Sequence, residues 1–254
     1  MIDTLAARGA MGKPSCTAPE IAARAIVMGS STLFKGLNGD ECEEIALHAQ
    51  DHSFENDQIL YMEGQTARNL ALIVSGSVKL SRLGPNGNEV ILWLAKPGDT
   101  IGVLADSLTR SHTCSARAME PTKMLVWDFG RLQTFLEEFP QIGVNIGTIL
   151  SNRLNELEER FREVATEKVD KRVAMAVLRM AKQIGRPAHG GIEVHLTREE
   201  LAQMTGTTLF SISRLLSKWA EEGMVLPRRE AVVVLDAERL GQSCNWGGRT
   251  VGVP

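Results

Sequence analysis

The sequence predicts an α+β chain: an N-terminal β-roll, a long dimerisation helix and a C-terminal winged helix-turn-helix. Three observations predict it. Six short apolar segments lie between residues 58 and 128 with glycine-rich turns between them, an apolar seam with charged flanks runs over residues 142–167, and two capped helix patterns meet at Gly206 ahead of a basic hairpin pattern. Short strands at regular spacing with glycine turns build an antiparallel barrel or sandwich. A narrow seam at three- and four-residue spacing builds a helix that pairs.

Residues 1–28 lack the apolar core of a secretory signal. They are Ala/Arg-rich, as a transit peptide is, but their Gly, Pro and Ser content favours a disordered leader. Residues 29–139 form the expected roll domain. A short helix is expected over 38–50, with Asn38 as its cap and Ile45 and Leu47 on its apolar side. Strands are expected at 58–62, 70–74, 77–83, 89–95, 113–118 and 122–128. Gly64, Gly76, the GPNGN run at 84–88 and the PGD turn at 97–99 separate them.

In the long helix, expected within residues 140–168, Ile146, Leu150, Leu154, Leu157, Phe161 and Val164 form the seam. Arg153, Glu156, Glu158, Glu159, Arg160, Arg162 and Glu163 supply the charged flanks. The pattern favours a two-stranded dimer; a single amphipathic helix packed on its own domain is the alternative.

The DNA-binding part is expected at 169–240. Thr197 with Glu200 makes a capping box, and Gly206 permits a sharp turn. Thr207 or Thr208 caps the second helix, whose Leu209, Ile212, Leu216 and Trp219 recur at core spacing, and Gly223 ends it. Phe210, Ser211, Arg214 and Lys218 remain outward, where a major groove admits a helix. An ordinary αα-hairpin fits the local pattern as well. The strand-turn-strand pattern at 224–235, with Arg228 and Arg229 at its tip for phosphate, favours a winged helix. Residues 241–254 are Gly-rich and read as a flexible tail.

The net charge of −3 is unevenly divided: residues 168–240 carry 12 Lys+Arg against 9 Asp+Glu, and the first 167 residues carry a balance of −7. The helix-turn-helix part is thus the mildly basic one. Cys16, Cys42, Cys114 and Cys244 are scattered, with no zinc or iron–sulfur spacing, so reduced thiols and a cytoplasmic setting are expected. No apolar run is long enough for a bilayer, and no nucleophile elbow, phosphate loop or metal motif suggests an enzyme.

In order and spacing, LFKGL at 33–37, ILYMEGQ at 59–65, LIVSGSVKL at 72–80, PGDTIG at 97–102 and the helix-turn-helix resemble the cyclic AMP receptor protein/FNR superfamily of bacterial transcription regulators. The resemblance covers about residues 30–240. It implies a cupin-like β-roll sensor, a homodimer, and a pseudo-palindromic double-stranded DNA site. For an activator it also implies RNA polymerase as a partner; no membrane is implied.

Two departures matter. Cyclic-AMP binders carry a Glu for the ribose and an Arg-Ser pair for the phosphate. The aligned residues here are Val103, Thr113 and Cys114, which offer no charge, unless Arg110 or Arg117 approaches. Cyclic AMP is therefore not the expected effector. Cys16 and Cys42 do not form the cysteine cluster of an FNR-type iron–sulfur sensor. In the recognition helix Arg214 matches a base-contacting Arg, while Leu209 and Phe210 replace a charged pair.

TGTTLFSISR is most similar to the branch responding to nitric oxide and nitrogen-oxide respiration. That branch implies haem, with His48, His52 or His112 as axial ligand and Cys114 or Met119 as partner. Each also reads as an ordinary surface histidine or buried sulfur, and Cys114 as either a redox thiol or an inert buried one. The function expected is a dimeric sequence-specific DNA-binding transcription regulator controlled by a signal in the roll. The alternative is a cyclic-nucleotide-binding regulatory module acting through protein partners.

Overall fold

The computed structural model describes residues 17–102 and 111–243. Val103, Arg110, Cys16 and Cys244 lie outside the described residues. Helix α1 (Ala18–Gly29) opens them, with a reciprocal capping box between Thr17 and Glu20. It corrects the expected leader, which extended to residue 28. Gly9, Gly12, Pro14 and Ser15 precede Thr17, and Pro19 sits in the first turn of α1, where its missing N–H breaks no helical hydrogen bond; the rest of residues 18–28 is rich in Ala and Ile, with Met28 in the core.

A 3-10 turn at Thr32–Phe34 leads to α2 (Gly39–Ala46), capped by Asn38 with Glu41. Eight strands follow: β1 (Gln50–Phe54), β2 (Ile59–Tyr61), β3 (Asn69–Ser75), β4 (Val78–Leu83), β5 (Glu89–Ala95), β6 (Thr100–Ile101), β7 (Ser115–Ala118) and β8 (Thr122–Asp128). They form two four-stranded sheets, ordered β1-β8-β3-β6 and β2-β7-β4-β5. The expected helix over 38–50 stops at Ala46 because Gln50 already pairs with Val126 on β8.

Strands β3 and β8 have both faces buried, each in a different core. Ala71, Ile73, Met124 and Val126 face the roll interior with Leu60, Tyr61 and Val78. The alternate residues Leu70, Leu72, Leu125 and Trp127 pack against the helices through Met28, Phe34, Ile45 and Phe135. Period-two alternation thus serves two cores rather than a core and solvent. The Trp127 indole N–H donates to the Ile45 carbonyl at 3.0 Å, so the buried ring leaves no polar atom unmet. Gly76 turns β3 into β4 at φ +85°, and a Cβ there would meet Thr122 Oγ1 at 2.4 Å.

Helix α3 (Phe129–Glu138) leads to α4 (Pro140–Thr166). Asn145 on α4 donates to the carbonyls of Leu33 and Lys35, each at 2.8 Å, tying the helix to the LFKGL segment. Ile146, expected in the pairing seam, instead packs against the helix-side core. Among the described residues the chain divides into two compact units, one of residues 17–82 with 92–156 and one of residues 83–91 with 157–243.

In the second unit, α5 (Val169–Ile184) precedes β9 (Arg186–Ala188), β10 (Gly191–Val194), α6 (Arg198–Thr205), α7 (Leu209–Glu221), β11 (Val225–Pro227), β12 (Val232–Val234) and α8 (Ala237–Ser243). The four strands form one antiparallel sheet, ordered β11-β12-β10-β9. The wing is therefore the outer hairpin of a four-stranded sheet rather than an isolated ribbon, which would be marginal alone. Helix α8 carries ordered structure to Ser243, past the expected tail boundary at 241, because Leu240 is fully buried.

Candidate nucleic-acid interface and effector seat

The helix-turn-helix is built by its caps. Thr197 Oγ1 accepts from the Glu200 N–H at 3.1 Å, and Glu200 reaches back to the Thr197 N–H at 2.9 Å. Gly206 takes the left-handed conformation, φ 60° and ψ 44°, that closes α6. Thr208, not Thr207, caps α7, accepting from the Ser211 N–H at 3.2 Å. Ile212, Leu215, Leu216 and Trp219 are buried.

Leu209 was expected among the core-facing residues as well as at the interface. It is 54% exposed, and Leu215 takes the buried place. Phe210 is 76% exposed beside it. Arg214 and Lys218 are also exposed, so one face of α7 presents Leu209, Phe210, Arg214 and Lys218, with half-buried Ser211 at its edge.

Arg172 on α5 is a residue the sequence reading missed. Its guanidinium donates to the carbonyls of Thr205 and Glu167, both at 3.2 Å, and of Gly206 at 3.5 Å. It therefore fastens the turn before α7 to the end of α4. Among the wing residues, Arg228 is bound to Glu193 on β10 and Arg229 is exposed. A phosphate would compete with Glu193 for Arg228.

On α4, Leu150, Leu154, Leu157, Phe161 and Val164 are all exposed, Phe161 by 76%. Glu163, expected on the solvated flank, is instead 5% exposed and receives Arg179 of α5.

In the roll, Thr113 is exposed and Cys114 is half-buried against the core near Trp93. Burial pushes the Cys114 thiol up from its ordinary pKa, opposed by a hydrogen bond with Thr113 and by the charge of Arg153. Arg153 enters from α4. Its Nη2 donates to the Thr100 carbonyl at 2.6 Å, and its guanidinium carbon sits 5.2 Å from the Trp93 ring centroid. Burial pulls its pKa down, and the charge of Asp99 opposes that pull. Arg117 does not serve the seat: it donates to the Asp57 carbonyl at 2.9 Å and to Asp57 Oδ1 at 3.1 Å.

Of the histidines, His112 stacks on Tyr61 at 3.6 Å, His52 lies against Phe54 and exposed His48 against Phe135. Among the described residues no three His, Cys, Asp or Glu are grouped to hold a metal ion. No helix of the described residues is long and apolar enough to cross a membrane.

Comparison with known proteins agrees with this architecture. Residues 51–139 match the cyclic nucleotide-binding domain family, and residues 171–243 match the Crp-like helix-turn-helix domain family. The chain is 25% identical over 218 residues to a CRP-like cAMP-activated global transcriptional regulator of Mycobacterium tuberculosis, covering 85% of this chain and 97% of that one. It is 28% identical over 198 residues to the cyclic AMP receptor protein of Thermus thermophilus, covering 78% and 89%.

FixK2 from Bradyrhizobium japonicum shares the fold with a TM-score of 0.69 at 22% identity, over 80% of this chain and 99% of that one. A CooA mutant from Carboxydothermus hydrogenoformans has a TM-score of 0.62 at 25% identity, over 83% and 92%. With both domain families matched in this order, and an α7 whose outer face exposes Leu209, Phe210, Arg214 and Lys218, the chain belongs to the cyclic AMP receptor protein/FNR superfamily of DNA-binding transcription regulators.

Proposed function

We propose that the protein acts as a homodimer whose α4 helices pair along Leu150, Leu154, Leu157, Phe161 and Val164, and whose two α7 helices enter successive major grooves of a pseudo-palindromic site. The observation that carries this reading is the pair of unpartnered faces. The α4 seam alternates four- and three-residue steps and stays exposed in the single chain, and α7 offers Phe210, Arg214 and Lys218 outward. Arg214 reads a guanine edge, and Leu209 and Phe210 pack on thymine methyls. Thr207, Thr208 and Ser211 line the approach, and Lys218, Arg228 and Arg229 meet phosphate.

The signal acts in the roll and is not cyclic AMP. Thr113 and Cys114 supply no cation where the M. tuberculosis and T. thermophilus relatives are named for cyclic AMP, and Arg117 is committed to Asp57. The histidine ring contacts lend haem no support. A buried thiol with a raised pKa is a poor redox nucleophile at neutral pH, which disfavours Cys114 as a sensor. The wing and the exposed face of α7 favour DNA over a module that acts only through protein partners.

The test is Arg214→Ala in gel shifts on specific and scrambled DNA. The reading expects a loss of about 1–3 kcal/mol confined to the specific site. An equal loss on all sequences would make Arg214 a phosphate contact instead.

A further inference from the structure

We propose that Glu193 is an affinity-setting residue of the wing: in the free chain its carboxylate occupies Arg228 as a stand-in for DNA phosphate, and DNA has to displace it. The inference rests on the proposed function for one point, that Arg228 meets phosphate.

The two wing arginines are adjacent, yet their surroundings differ. The Arg228 N–H donates to the Ala231 carbonyl at 2.8 Å, which closes the hairpin and leaves Arg229 and Glu230 as its two-residue tip. Arg229 is exposed there. The Arg228 side chain instead reaches back over the sheet, and its Nη1 donates to Glu193 Oε1 at 2.5 Å. Strand β12 lies between β11 and β10, so this contact crosses the whole hairpin.

Glu193 cannot follow Arg228 outward. It lies on β10, an inner strand, in register with Val233 of β12 and Arg186 of β9. Its side chain is 18% exposed, against 49% for Arg228. The long, half-exposed arginine can turn to another anion, while the carboxylate is held where it is.

A carboxylate and a phosphate offer a guanidinium the same kind of acceptor, and the two exclude each other at any one donor. An arginine that turns to phosphate exchanges one anion for another. The cost falls on Glu193, which keeps a largely buried negative charge, loses its partner and faces the negative charge of DNA. His195 Nε2, 3.6 Å from Glu193 Oε2, is the neighbour it retains. The displacement lowers affinity on every sequence alike, because phosphate contacts carry no sequence information.

The experiment titrates full-length wild type, Glu193→Gln, Glu193→Met and Arg228→Gln against a selected DNA site and its scrambled form by fluorescence anisotropy. Each Glu193 variant is also combined with Arg228→Gln. Glu230→Gln, alone and in the same combination, removes one negative charge from the tip and serves as the charge control. The expected result is that Glu193→Gln and Glu193→Met tighten binding to both DNAs about threefold, the size of an exposed ion pair. Both effects vanish in the Arg228→Gln background, whereas that of Glu230→Gln persists.

Tightening that survives Arg228→Gln would overturn the proposal, since it would be the field of a lost charge and not a released arginine. Unchanged binding in the Glu193 variants would overturn it too, and weaker binding would make Glu193 a group that orients Arg228 for DNA. Should Glu193→Gln not fold, Glu193→Met, which keeps the aliphatic stem and has no carboxylate or amide acceptor, carries the comparison. If Arg228→Gln bound both DNAs as tightly as wild type, the phosphate role of Arg228 would fall and the proposal with it. Weaker binding by Arg228→Gln with no response to Glu193 would sink the proposal alone.

Discussion

Arg179 Nη2 donates to both carboxylate oxygens of Glu163, at 3.0 and 2.8 Å, and so joins α5 to the last turns of α4 with a largely buried ion pair. Removing one partner of such a pair leaves the other charge uncompensated. Glu163→Ala should therefore destabilise the second unit by about 3 kcal/mol, read by urea denaturation. The double variant Glu163→Leu with Arg179→Met should recover most of that loss, since no buried charge is stranded. A double variant as unstable as the single one would show that the pair is not the source of the effect.

The same end of α4 carries the exposed seam. Phe161→Glu should convert a dimer into a monomer in sedimentation equilibrium and weaken DNA binding by more than tenfold, because only one half-site is then engaged at a time. The folded content by circular dichroism should be unchanged, since Phe161 is 76% exposed in the single chain. An intact dimer in this variant would place the subunit contact elsewhere.

Thr208→Ala removes the cap of α7 and should cost about 1 kcal/mol of stability. Arg172→Met removes the hydrogen bonds to the carbonyls of Thr205, Gly206 and Glu167. It should lower specific DNA affinity more than non-specific affinity, because it loosens the placement of the recognition helix rather than its charge. Filter binding on both kinds of DNA separates the two effects.

Burial raises the pKa of Cys114, so the folded chain keeps the thiol proton to a higher pH than the unfolded chain does. The stability this supplies is fully present below the ordinary thiol value of 9.0 and is lost as pH rises through the raised value of the folded state. Alkylation of Cys114 by iodoacetamide near pH 8, followed by mass spectrometry, should be slower than that of a free cysteine. Fast alkylation at neutral pH, or loss of oxidant response in Cys114→Ser, would revive the thiol-sensor reading.

Those local patterns that form their own structure were legible from sequence. Thr197 with Glu200, Gly206 and the buried spacing of Ile212, Leu216 and Trp219 specify the helix-turn-helix from neighbouring residues alone. Strand β1, QDHSF, was missed because Phe54 is its only strongly apolar residue and His52 supplies the other buried position. The contact made by Arg153 was equally hidden. Along α4 it looks like one more flank charge; only the fold brings it to Trp93 and Thr100 on other strands. Ile146 and Glu163 left the expected seam and flank for the same reason: what covers each is distant in sequence or on another helix.

The central claim is that two copies of α7 read two related half-sites. Selection of purified full-length protein against a random DNA pool, followed by sequencing, tests it most directly. The account predicts an enriched two-fold symmetric motif, its half-sites about 10–10.5 base pairs apart centre to centre or a multiple of that, recovered without added cyclic nucleotide and lost with Arg214→Ala. No enrichment, or a single unpaired half-site from a dimeric preparation, would contradict it.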